Sequence, residues 1–270
     1  MSFKSILAVN LNIKNSELLP AGYQHIGNIC IISLNKKLNK YKKQIGKIIL
    51  KTFNFKSVLN RKSGIKGQKR IPSMEIIAGS RKTETIHNEL GIKYKLDPRK
   101  VMFSKGNMNE RHRIAKLIKK NEIIVDMFAG IGYFTIPMAW ENKAKMIYAC
   151  EINPVSYKYL NENIKLNRIN KNKIQTFNAD CRKIIKKLAR QGIKADRILM
   201  GLLPSPKAYL KDAKKISKKR TIIHYEAITK KPEILIKEIK KEFPNIKILN
   251  VIKVKSYGPR IWHFTIDARV

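Results

Sequence analysis

Cysteine is scarce: the 270 residues hold only 3, Cys30, Cys150 and Cys181. They lie far apart, with no CxxC or Cys/His spacing, which argues against a disulfide framework and against a zinc site. Long apolar runs are missing too. No stretch approaches the ~18–20 residues that cross a bilayer, and the opening MSFKSILAVN lacks a signal-peptide layout. The expectation is a cytosolic protein with no membrane partner and no metal.

Acidic residues are the third scarcity, 19 against 58 basic ones, for a formal charge of +39. A lysine-rich proteome or life at high temperature raises lysine as well, but glutamate usually rises with it. Here the imbalance is local. Between Glu17 and Glu75 there is no acid, yet the stretch carries lysines and arginines from Lys36 to Arg70. So one-sided a segment reads as a phosphate-binding surface, with nucleic acid as the partner.

What is present is enough apolar material, 43% of the chain, to fill real cores. YQHIGNICIISL (23–34) is strand-like, KLNKYKKQIGKIILKTF (37–53) has helical apolar spacing, and MEIIAG, TETIH and IKYKL read as short strands. This is a small α+β domain, placed at 1–95. Within it RKSGIKGQKRIP (61–72) reads as a mobile basic loop, where Arg61, Lys62, Lys66, Lys69 and Arg70 would grip a phosphate backbone.

Over 96–270 the pattern becomes regular strand–helix alternation from about residue 122: IIVDM, MIYACEI, KIQTFN, DRILMG and RTIIHYEAI, each followed by a helical stretch. Two closing strands joined at Gly258-Pro259-Arg260 form an antiparallel pair. The fold expected is α/β, a Rossmann-like sheet of the class I methyltransferase type behind the smaller N-terminal domain.

In such sheets ligands bind beyond the carboxyl ends of the strands. The first strand–helix turn here is Ala-Gly-Ile-Gly, where Gly130 and Gly132 let backbone N–H groups approach a ligand closely. Glu151 ends the second strand about 20 residues on, where a carboxylate meets ribose hydroxyls. Asp180 ends the third and is placed to meet an adenine amino group. One spacer between the glycines, with no third small residue at the expected step, disfavours a pyrophosphate site.

D-x-F-A-G-x-G-x-F resembles the first motif of S-adenosylmethionine-dependent transferases, which makes S-adenosyl-L-methionine the expected group donor, with Phe128 and Cys181 beside it. LDPRKVMFSKGNMNERHRIAKLI (96–118), the motif after it and the ending YGPRIWHFTIDARV together resemble a tRNA-modifying group. That group contains the tRNA guanosine methyltransferases acting beside the anticodon and the aminocarboxypropyltransferases of wybutosine synthesis. The resemblance implies cofactor contacts from Ser104 and Arg111, and a guanidinium pairs well with the carboxylate of the methionine moiety. Another reading makes Asn107 and Glu110 a capping box and Arg111 a surface residue.

The group's methyltransferases carry Asn-Leu-Pro or Asn-Pro-Pro at the end of the fourth strand. This chain has Gly201-Leu202-Leu203-Pro204 there, with Leu202 and Pro204 on the substrate side. The resemblance is therefore to the aminocarboxypropyltransferase branch, acting on 4-demethylwyosine at position 37, in the anticodon loop of tRNA(Phe). Methylation of guanosine-37 or of a wyosine precursor is the alternative, and a noncatalytic RNA-binding protein the more distant one. His224, Tyr225 and His263 lie at candidate positions for a base, and none of them is assigned.

Overall fold

A computed structural model describes residues 1–11, 16–67 and 70–270, with the backbone alone at 65 and 66. The chain forms two compact units, Met1–Phe103 and Ser104–Val270. The sequence pattern puts the division after residue 95. The turn beyond it packs with the first unit, because Asp97 accepts a 2.7 Å bond from the Thr83 hydroxyl and Phe103 packs edge-on against Tyr94 and His87.

The first unit holds α1 (Phe3–Leu11), β1 (Gln24–Ile26), β2 (Ile29–Ile32), α2 (Lys42–Thr52), β3 (Ser57–Lys66), β4 (Ile71–Gly79), β5 (Thr85–Glu89) and β6 (Ile92–Leu96). Its sheet runs β1-β2-β3-β4, with β2 and β3 parallel and β5-β6 a separate hairpin. Leu7 and the Ile45/Ile49 stripe of α2 bury against Cys30, Val58 and Ile77.

The basic segment is a hairpin rather than a loose loop. Residues 61–66 continue β3 and pair antiparallel with β4, Arg61 opposite Met74 and Lys66 opposite Ile71. Pairing with β4 satisfies the backbone of a segment whose side chains lack the apolar alternation that marks a strand. Arg61 and Lys62 are exposed on it. Arg70, at φ +53° in the turn, directs Nε to the Met102 sulfur at 3.0 Å. Lys69 and the side chain of Lys66 lie outside the described residues.

The second unit contains α3 (Met108–Lys116), β7 (Ile123–Asp126), α4 (Thr135–Trp140), β8 (Met146–Cys150), α5 (Pro154–Leu166), β9 (Ile174–Phe177) and α6 (Cys181–Arg190). It continues with β10 (Ala195–Met200), α7 (Leu210–Ile216), β11 (Ser217–Thr229), α8 (Pro232–Glu242), β12 (Lys247–Gly258) and β13 (Ile261–Arg269). The sheet order is β12-β13-β11-β10-β7-β8-β9; β7 to β11 run parallel and the last two strands antiparallel, as the Rossmann-like reading requires. Nearly continuous apolar runs suit strands covered on both faces. Val125, Ile198, Ile223 and Ile266 are fully buried in that core.

One face of this sheet is held by charge. Glu110 and Asp267 both bond Arg113, Asp267 also takes the His224 ring at 2.6 Å, and Arg197 joins His224 to Glu122. Arginine only donates, so His224 Nε2 must accept from Arg197 and Nδ1 must carry the hydrogen given to Asp267. Burial foremost holds the His224 pKa below its ordinary value, against the pull of Asp267. A cleft of about 760 Å³ borders this chain of charges and is lined in part by Asp196, Arg197 and Arg220. It lies toward the starts of β7 and β10, away from the glycine turn. Among the described residues no helix is long and apolar enough to cross a membrane, and no cluster of three or more metal-ligating side chains occurs.

Candidate functional site

The carboxyl ends of β7, β8, β9 and β10 are stitched together by backbone bonds that run past the strands. Met127 N–H donates to Leu199, Ala129 N–H to Cys150 and Glu151 N–H to Phe177. The glycine turn emerges from this floor with Gly130 at φ +59° and Gly132 at φ +99°, in the left-handed region that favours glycine. A side chain at 130 would also run into the Tyr133 ring.

Glu151 meets the turn directly. Its Oε2 accepts from Gly130 N–H at 2.8 Å and its Oε1 from Asn153 N–H at 2.7 Å. Burial raises its pKa while those backbone bonds work against the rise. Each carboxylate oxygen has a second lone pair, so it can still accept from a diol. Asp126, in the motif before the turn, is fully buried and takes the Thr135 hydroxyl at 2.7 Å and Phe128 N–H at 3.2 Å. Burial pushes its pKa up to about 6, and the charges of Glu151 and Glu226 add to the rise.

Asp180 caps α6 through Arg182 N–H, and the Arg182 side chain grips the same carboxylate, which lowers its pKa. Cys181 follows, buried, its thiol raised to about 12 by burial. Burial foremost raises the Cys150 thiol as well, and the charges of Asp126, Asp180 and Glu151 add to the rise. Phe128 is half-buried and packs edge-on against Tyr209 at 4.9 Å.

Ser104 and Arg111 come together. Arg111 Nη2 donates to the Ser104 carbonyl at 3.1 Å, and the guanidinium lies over the Tyr133 ring at 5.9 Å, which connects the pair to the glycine turn. Arg111 is 2% exposed. The capping-box reading fails: the Asn107 side chain makes no cap bond, and Glu110 is taken by Arg113. Lys255, from β12, donates to Ser104 Oγ at 2.6 Å; 151 residues of separation hide that bond from any local pattern.

After β10, Leu202 is half-buried and Pro204 exposed, with a cis peptide between Leu203 and Pro204. The Pro204 carbonyl accepts from Ile228 N–H at 2.8 Å, which lays this segment over β11. The residues fit an adenosyl sulfonium. Carboxylates at the strand ends suit ribose hydroxyls and an adenine amine, Arg111 suits a carboxylate, and the acids around the turn would repel a pyrophosphate.

Comparison with known proteins finds matches along nearly the whole chain. Residues 85–254 match the TRM5/TYW2 methyltransferase domain and residues 3–83 the TYW2 N-terminal domain. The chain is 39% identical over 274 aligned positions to a Pyrococcus horikoshii protein named tRNA(Phe) (4-demethylwyosine(37)-C(7)) aminocarboxypropyltransferase. That match covers 99% of this chain and 95% of the relative. The crystal structure of P. horikoshii TYW2 in complex with MeSAdo matches with TM-score 0.79 at 34% identity, covering 99% of this chain and 98% of that one. The structure of a complex of aTrm5 and tRNALeu matches with TM-score 0.87 at 33% identity, covering 100% and 78%.

Proposed function

Because the chain belongs to the TRM5/TYW2 family, we propose that it transfers the 3-amino-3-carboxypropyl group of S-adenosylmethionine to C7 of 4-demethylwyosine at position 37 of tRNA(Phe). Methylthioadenosine is the co-product. The donor supplies an electrophilic carbon beside a sulfonium and leaves as a neutral thioether, so little acid catalysis is needed at the leaving group.

The chain's own residues position and exclude. Glu151 accepts from the ribose, Asp180 faces the adenine edge, and Phe128 and Cys181 wall the base. Arg111, set by the Ser104 carbonyl and the Tyr133 ring, takes the carboxylate of the arm that moves. Which arm faces the acceptor decides the product, and orientation is worth orders of magnitude in rate.

The observation that carries this branch is the end of β10, where Gly201 offers no side-chain amide to a target base. The match of residues 3–83 to the TYW2 N-terminal domain supports it, while similarity to a Trm5 keeps methylation as the competing product. Two labels decide between them: carboxyl label from the donor should pass to tRNA, and methyl label should stay on the small-molecule product. Methyl label in the tRNA would overturn the proposal. The exposed Arg61 and Lys62 of β3 are assigned to phosphate contacts, and so, from the sequence, are Lys66, Lys69 and Arg70.

A further inference from the structure

Residues two apart on a strand share a face, so His224 and Glu226 of β11 lie on one side of the sheet with His263, Thr265 and Asp267 of β13. The two ends of that row differ. His224 and Asp267 are fully hydrogen-bonded within the chain of charges that joins Arg113 to Arg197. Toward the carboxyl end of β11, Glu226 Oε1, both His263 ring nitrogens and Thr265 Oγ1 are buried and make no hydrogen bond among the described residues. Glu226 is 2% exposed, and its Oε2 stands 3.4 Å from His263 Nε2. Buried polar side chains are satisfied as a rule, so a carboxylate and an imidazole left this way at a strand end call for a task.

Their position supplies one. A carbon placed where Gly201 would carry its Cβ lies 3.5 Å from Glu226 Oε2 and 3.3 Å from Phe134 Cε2. Glu226 Oε2 therefore lies in van der Waals reach of position 201, where the methyltransferases that the sequence resembles carry an asparagine near the target base, and glycine puts no side chain between the two. Resting on the proposed function, we infer that Glu226 is the base that removes the acceptor-carbon proton.

The electron balance is direct. The ring carbon's π pair forms the new carbon–carbon bond to the γ-carbon of the donor's methionine arm, and the carbon–sulfur pair leaves onto sulfur. The acceptor carbon is now tetrahedral, in a cationic ring, and still holds its hydrogen. Oε2 takes that proton, the carbon–hydrogen pair restores the aromatic ring, and no oxidant or metal enters.

The test uses the full chain and tRNA carrying the tricyclic base with protium or deuterium at the acceptor carbon. Glu226→Gln should bind S-adenosylmethionine within about twofold of wild type by calorimetry, keep its melting temperature, and lose on the order of 10²–10⁴-fold in single-turnover rate. It should also develop a primary deuterium isotope effect larger than that of wild type. Formate should restore a measurable part of the rate to Glu226→Ala; if the alanine variant does not fold, the isotope effect in the glutamine variant carries the test. Turnover within threefold of wild type would overturn the inference, as would a slow Glu226→Gln with no enlarged isotope effect. The wild-type label distribution, run in parallel, reports the failure of the proposed function separately.

Discussion

Glu151 holds protein and ligand with one carboxylate, so its replacements should separate two readings of the strand end. In Glu151→Ala the Gly130 and Asn153 N–H groups lose their acceptor together with the ribose. The turn itself should persist, because Ala129 N–H to Cys150 and Gly132 N–H to Ala129 are backbone bonds. One charge-assisted bond to the ligand is worth about 1.5–3 kcal/mol, so the dissociation constant for S-adenosylmethionine should rise about ten- to hundredfold. Glu151→Gln looks milder and should not be. An amide has one oxygen, and the two backbone donors approach opposite carboxylate oxygens at 2.8 and 2.7 Å, so its NH₂ must face one of them. The glutamine variant should therefore lose at least as much affinity as the alanine one. Titration calorimetry on both variants, with circular dichroism to check the fold, reads the result. Wild-type affinity in Glu151→Ala, or a glutamine variant that binds better than the alanine one, would refute the role of the carboxylate.

Three further outcomes are expected. Serine at Arg61 and Lys62 should flatten the salt dependence of tRNA binding by about 0.7–0.9 of slope for each phosphate no longer neutralised and leave donor affinity alone, and an unchanged slope would put the RNA elsewhere. The Asp126 pKa, raised to about 6, lies above the ordinary carboxylate value, so the folded chain holds that proton more tightly and loses stability as pH rises from about 4 through 6. Asp126→Asn should therefore gain about 2–3 kcal/mol relative to wild type between pH 4.5 and 8 in urea unfolding, and no pH-dependent gain would refute the burial argument. His224 is depressed, so its contribution is complete above the ordinary histidine value of about 6.5 and falls away below it as the unfolded chain takes up a proton the folded ring refuses. Nitrogen NMR should find the ring neutral with hydrogen on Nδ1 at pH 6, and a protonated ring there would contradict the arginine–histidine bond.

Local signals carried the elements well where the chemistry was local. The helices 154–166 and 181–190 begin where the pattern puts them because Asn153 before Pro154, and Asp180, are side-chain caps visible in the sequence. The basic hairpin was not visible as a hairpin, since its ladder with β4 leaves no apolar alternation to read. Glu151 was legible from its distance to the glycine turn, but its bond to Gly130 was not. Lys255 on Ser104, and Glu226 beside His263, depend on β13 lying between β11 and β12, an order that only the folded sheet fixes. Asp126 opens the glycine-turn motif and is plain in the sequence; its burial, which gives it an unusual carboxyl, follows from the strand being covered on both faces.

The row of charges from Glu110 through Arg113, Asp267, His224 and Arg197 to Glu122 also constrains how related sequences can vary. Each interior member is answered by a neighbour on either side, so changing one leaves a buried charge or donor facing nothing, at a cost of about 3–5 kcal/mol, whereas exchanging partners for well-packed apolar residues together is often neutral. Drift at these positions should therefore be concerted. Among relatives of this chain, positions 113 and 267, and 122 and 197, should change in pairs or stay fixed, while solvent-facing lysines nearby vary freely. Such paired change would give a record of the sheet's strand order written in sequences alone.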